Sequence, residues 1–270
     1  MLQPPPEHRP PAYDGIWQRW SHLRILALAV LLLVGNFLVQ LVVYSLTGGL
    51  SWPVLAGGAL GVGLPLLLLS RAGELDWRRD LAWHPPTPRQ AALVVVLAGA
   101  SIPPTSLLAE FSLRLHAADP QWVRLLNEQI PSGGGELILA VIALVMVAPL
   151  AEEIVFRVLI QRLAGNMWGA VPAVVVSALV FGIAHAEPWY LLGLVGIGLM
   201  LAVVWQTTRS LPAVWLAHAL HNAFSLVMMI SAGGVSGETV DLATMDLALA
   251  GGGLIIALLA GRELACHRGH

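Results

Sequence analysis

Eight apolar runs occupy most of this 270-residue chain, and each is about as long as a bilayer is thick. They fall at about 24–46, 52–70, 90–109, 136–161, 170–186, 189–206, 211–232 and 246–261. A helix needs roughly 20 mainly apolar residues to cross the hydrocarbon core. Helices satisfy their own backbone hydrogen bonds in lipid, so they are the economical way to bury such runs. The expected fold is all-α, a polytopic membrane helical bundle with about eight transmembrane helices. Composition agrees: 11% of the residues are charged, against about 25% in soluble domains.

The rest of the chain is short and polar. Residues 1–23 form a polar, proline-rich N-terminal segment, 24–262 the bundle with its motif-bearing core at about 136–232, and 263–270 a short tail. A polar, arginine-rich loop spans 71–89, a longer one 110–135, and an acidic one 233–245. No secretory core opens the chain, and the run from Ile25 to Leu46 is too long for one, so it reads as an uncleaved span. The single cysteine, Cys266, has no CxxC partner and is not fourth from the end, so neither a redox pair nor a prenylation box is present.

Arginine asymmetry orients the bundle. With eight spans, Arg9, Arg19, Arg24, Arg71, Arg78, Arg79, Arg89, Arg162, Arg209, Arg262 and Arg268 share one side with both termini. Arg114 and Arg124 lie on the other, with Glu128, Glu187, Glu238 and Asp241. Both termini are therefore expected in the cytoplasm. Trp20, Trp52, Trp168, Trp189 and Trp205 fall near span ends, as interfacial anchors do. The net charge of −2 excludes the basic face of a nucleic-acid binder.

Three polar clusters interrupt the apolar runs. The first is Glu152-Glu153-Ile154-Val155-Phe156-Arg157. A carboxylate at the bilayer centre costs about 2.5–3.5 kcal/mol on the mild insertion scale, so intramembrane acids need partners or a purpose. Glu153 and Arg157 are i and i+4 and can pair. Glu152 points about 100° away and is freer to face a cavity. The second cluster is Phe181-Gly182-Ile183-Ala184-His185, and the third is His218-Ala219-Leu220-His221-Asn222. His218 and Asn222 share a helix face, with His221 partly on it. Measured from the cytoplasmic boundary at 1.5 Å per residue, Glu152 lies roughly 15 Å deep, His185 roughly 21 Å and His218 roughly 10 Å. A shared site is geometrically allowed.

The residue types fit hydrolysis. A carboxylate in an apolar site suits a general base, and a histidine beside it can share and activate a water. A second histidine with an asparagine amide can donate hydrogen bonds to a developing oxyanion. These parts suffice to hydrolyse an amide without a covalent intermediate. In the alternative, Glu152, His185 and His218 form a His2Glu set with an open fourth position, which suits a divalent metal such as zinc, with Glu153 as base. A His218/His221 metal or haem pair is a further rival. No HExxH or GxSxG motif is present, and Ser177 and Ser225 lack the glycine setting of an activated nucleophile. Outside catalysis, such polar residues also serve as interhelical glue in a membrane immunity or scaffold protein, or as proton relays in a transporter. No inverted repeat supports the transporter.

The order EExxxR, FxxxH, HxxxN, each in an apolar span, resembles the CPBP (Abi) family, which groups type II CAAX prenyl endopeptidases with bacteriocin-processing enzymes. The matching residues are Glu152, Glu153, Arg157, Phe181, His185, His218 and Asn222, within roughly 149–225. The resemblance implies an eight-helix intramembrane endopeptidase, possessing Glu152 and His185 as water activators and His218 and Asn222 as the oxyanion site. Glu153 and Arg157 become supporting residues, and His221 a structural or supporting one. The implied partners are the lipid bilayer and a peptide or membrane-protein substrate: a prenylated C-terminus, a leader peptide or a membrane-anchored protein. The expected location is a bacterial cytoplasmic membrane.

Overall fold

A computed structural model describes residues 15–239 and 247–266. The proline-rich stretch before residue 15, the tail beyond Cys266, and the charged residues Arg9, Asp241 and Arg268 lie outside the described residues. Every regular element among the described residues is helical. We number them α1 (Ile16–Arg19), α2 (His22–Thr47), α3 (Ser51–Arg71), α4 (Pro88–Leu115), α5 (Pro120–Asn127), α6 (Gly134–Trp168), α7 (Ala170–Ala184), α8 (Pro188–Thr208), α9 (Leu211–Ser231) and α10 (Leu247–Cys266).

Seven of these, all but α1, α5 and α7, are long and apolar enough to cross a membrane. The remaining apolar run forms α7, whose 15 residues span about 22 Å. Its ends are set by the backbone. Gly169 opens it at φ 88°, and Ala186 closes the following turn at φ 55°. α7 is thus shorter than the other seven, and His185 caps its C-terminal end.

α4 and α6 run past their expected ends because charged residues there find partners. In α4, Glu110 pairs with Arg114 at 2.9 Å. Its start follows from a capping box in which Thr87 accepts from the Gln90 N–H and Gln90 accepts from the Thr87 N–H, with Pro88 in the first turn. At the end of α6, Arg162 donates to the Asp80 carbonyl at 3.3 Å and lies over the Trp17 ring. The loop 110–135 also contains α5, begun by Asp119, which accepts from the Gln121 N–H.

The helices pack around α6, which touches α2, α3, α7, α8 and α9. Its apolar window is 44% buried, against 17–39% for the other spans, so the chain's central helix is the one bearing the glutamates. On the far side, α4 packs on α8, α9 and α10. Helices in lipid gain most from close backbone approach. At Gly198 of α8, a Cβ would lie 3.0 Å from the backbone of Ala178 in α7. At Gly61 of α3, it would lie 2.5 Å from the backbone of Asn36 in α2. Large apolar side chains such as Leu31, Val42, Ile138, Val171 and Leu258 are exposed on the outer surface, where lipid tails would cover them. Trp205 departs from the interfacial pattern: it is 1% exposed and sits in the core.

α1 is clamped to the loop between α3 and α4 by one buried acid. Asp80 accepts from the Ile16 N–H at 3.0 Å and the Asp76 N–H at 2.9 Å, while its carbonyl accepts from the Trp17 indole at 2.9 Å. Removing the carboxylate strands two backbone donors, each costing about 1–3 kcal/mol when buried. Asp80→Ala is therefore expected to lower the melting temperature of the purified protein and to expose residues 15–20 to protease. An unchanged melting temperature would remove the clamp from this account.

Candidate active site

The acids sit where α6 changes its winding. The Ala148 N–H bonds to the Ala143 carbonyl and the Arg162 N–H to the Arg157 carbonyl, both five residues back. Such widened turns flank Glu152 and Glu153 on both sides, a feature common at functional sites. Pro149 adds to the irregularity. In the five-residue register its partner would be the Leu144 carbonyl, but proline has no N–H. That carbonyl instead accepts from the Asn222 side-chain amide at 2.9 Å, and the Met146 carbonyl accepts from the Trp215 indole at 2.9 Å. α9 is thereby fastened to the loosened turn of α6.

Glu153 is fully buried and serves two partners. Its Oε2 lies 2.9 Å from Arg157 Nε, and its Oε1 accepts from His218 Nδ1 at 2.7 Å. The Arg157 contact is a charge pair rather than a well-aligned hydrogen bond. Arg157 is itself 0% exposed. It donates to Ser177 Oγ at 2.8 Å and stands over the Phe181 ring, and the Ser177 hydroxyl donates in turn to the Phe156 carbonyl. The expected Glu153–Arg157 pair is present, and Ser177 is committed within it. The link from Glu153 to His218 was not legible in the sequence, because helical spacing says nothing about which residue of another helix completes a carboxylate.

Glu152, one residue earlier, is turned away from this cluster and keeps 25% side-chain exposure. Its Oε2 lies 3.7 Å from His218 Nε2 and 4.0 Å from His185 Nε2. Both distances exceed a direct hydrogen bond and fall where one water can stand between polar groups. The other ring nitrogens are already used. His185 Nδ1 donates to the Phe181 carbonyl at 2.8 Å, and His218 Nδ1 faces Glu153. A carbonyl only accepts, so neutral His185 holds its lone pair on Nε2, the atom facing Glu152. Phe181 fixes both rings from the side, with centroids 4.6 Å from His185 and 5.7 Å from His218.

Three helices therefore bring Glu152, Glu153, Arg157, His185 and His218 together. Asn222 lies one turn beyond His218, with its amide nitrogen on Leu144. His221 is 8% exposed and faces elsewhere, its Nδ1 without a hydrogen-bond partner. Among the described residues no group of three His, Cys, Asp or Glu is placed to hold a metal ion. Glu152, His185 and His218, the alternative ligand set, face one another across 3.7 Å and 4.0 Å, while Glu153 is engaged by Arg157 and His218.

No curated protein and no solved structure gives a significant match to the chain. Residues 134–224, the stretch from the start of α6 to Phe224 that carries every residue of this cluster, match the family model of type II CAAX prenyl endopeptidase Rce1-like proteins. That segment, about a third of the chain, is similar to the Rce1-like family of CAAX-type intramembrane proteases, in keeping with the resemblance its three motifs carry.

Proposed function

We propose that this protein hydrolyses a peptide bond of a membrane-associated substrate, with water activated by Glu152 and His185. The observation that carries the reading is the convergence of the Glu152 carboxylate on two imidazole Nε2 atoms at water-bridging distance. Glu152 accepts a proton from the water as it attacks the carbonyl carbon. His185 Nε2, its tautomer held by the Phe181 carbonyl, fixes the water beside Glu152. As the imidazolium, His218 donates from Nε2 to the developing oxyanion, and the second N–H of the Asn222 amide supplies another donor. Glu153 and Arg157 act through His218: they hold its ring with Nε2 pointing at the reacting centre, as a buried carboxylate orients the histidine of a catalytic triad. The proton then passes to the leaving amine.

The test offers candidate membrane peptides, among them prenylated C-termini and leader peptides, to the purified protein in lipid nanodiscs. Glu152→Gln and His185→Ala are expected to lose cleavage. Cleavage unchanged in both variants would sink the proposal.

The same reading places residues 24–262 in the bilayer with both termini in the cytoplasm. Cys266 is exposed and is the chain's single cysteine, so it reports its own side. A membrane-impermeant maleimide is expected to label it only after the membrane is permeabilised. Labelling of intact cells would invert the topology.

A further inference from the structure

A cavity of about 400 Å³ lies beside the cluster, enclosed by α4, α5, α8, α9 and the turn after α7. It is separate from the Glu152 cluster but touches it through the chain. Glu187 on its wall is two residues from His185, and His221 is three from His218. Its volume falls in the range of ligand pockets, roughly 300–1,000 Å³, and its walls are mostly apolar.

Its polar side chains are one carboxylate, the His221 imidazole, the Trp122 indole and the hydroxyls of Thr105, Ser106, Tyr190 and Ser225. Glu187 supplies a carboxylate, and among the described residues no arginine lines the cavity. His221 presents a buried imidazole whose Nδ1 has no hydrogen-bond partner. Trp122 and Tyr190, packed edge-on at 5.6 Å between centroids, add two aromatic rings to the wall. A carboxylate beside aromatic rings attracts a cation through both charge and ring quadrupole. The apolar walls suit the methylene stem of a long basic side chain, which buries its carbons and presents only its head to polar groups.

We propose that this cavity is a substrate subsite for a cationic side chain flanking the scissile bond, its head between the Glu187 carboxylate and the Trp122 and Tyr190 rings. The inference rests on the peptidase reading above, and it names a side-chain class that the substrate must carry. Burial pushes the Glu187 carboxyl above its usual range, with nearby His185 and Trp122 opposing. A bound cation supplies this acid with a charge partner.

The experiment uses full-length protein in nanodiscs and a series of 12-residue membrane peptides. A single lysine, norleucine or glutamate is stepped through each position on both sides of the central bond. Binding is read on the inactive Glu152→Gln protein, so it does not depend on turnover. At one position, lysine is expected to bind about 10-fold more tightly than norleucine, and glutamate most weakly. Adding Glu187→Gln is expected to reduce that preference to less than threefold while norleucine binding holds, which also shows that the variant is folded. Trp122→Phe is expected to reduce it partly. Equal binding of lysine and norleucine peptides at every position, or a preference that survives Glu187→Gln, overturns the subsite. A lysine preference without Glu152-dependent cleavage in the active protein keeps the subsite and discards the peptidase reading. Cleavage without the preference does the reverse.

Discussion

Replacing Glu152 with glutamine is expected to slow peptide cleavage by about 10²- to 10⁴-fold, the usual contribution of a positioned general base, with no loss of folded protein. The two halves of this expectation have separate causes. Glutamine fills the same space but cannot take a proton from water at neutral pH. Stability is spared because Glu152 makes no direct hydrogen bond to either histidine, standing 3.7 Å and 4.0 Å away. The ring of His218 stays anchored by Glu153, and that of His185 by the Phe181 carbonyl. Single-turnover cleavage and a melting curve on the same preparation check both halves. A variant that retains its rate, or that loses rate and melting temperature together, contradicts the role assigned to Glu152.

Arg157→Met is expected to do the opposite: to destabilise first and to inactivate as a consequence. It leaves the Glu153 carboxylate at 0% exposure without its guanidinium partner. Breaking a buried pair by removing one member costs about 3–5 kcal/mol, mainly because the surviving charge stays buried and uncompensated. The Ser177 link to α7 and the contact with the Phe181 ring go as well. The decisive control is the double variant Arg157→Met with Glu153→Gln. It removes the stranded charge, and glutamine can still accept from His218 Nδ1 through its amide oxygen. The double variant is expected to recover most of the lost melting temperature while cleaving slowly, because a neutral amide holds His218 less firmly. Equal instability of the single and double variants would show that Arg157 matters for its packing and not for its charge.

These two variants separate the adjacent glutamates, and the separation illustrates how much was legible beforehand. Spacing alone assigned Glu153 to Arg157 and left Glu152 free. It did not reveal that Glu153 also holds His218, although a fully buried carboxylate with two oxygens calls for more than one partner. Asn222 was readable as a polar residue sharing a face with His218, but its place against Leu144 was not. A signal was present in Pro149, which deprives one carbonyl of α6 of its helical partner and so requires a donor from elsewhere. The aromatic cavity was not anticipated at all. Its walls come from α4, α5, α8 and α9, and Trp122 and Glu187 lie in connections between the long apolar runs.

What the sequence determined by itself was the class of solution. Long apolar runs in lipid admit little besides helices, because the backbone must satisfy its own hydrogen bonds. Acids, an arginine and histidines inside those runs demand partners, because their desolvation is costly. The tertiary structure decided which partners they take. A helical repeat fixes the face on which a residue lies, but the face it meets depends on rotation, depth and close approach. Those were set by the widened turns of α6, the early stop of α7 at His185 and the glycine contact of α8 against α7.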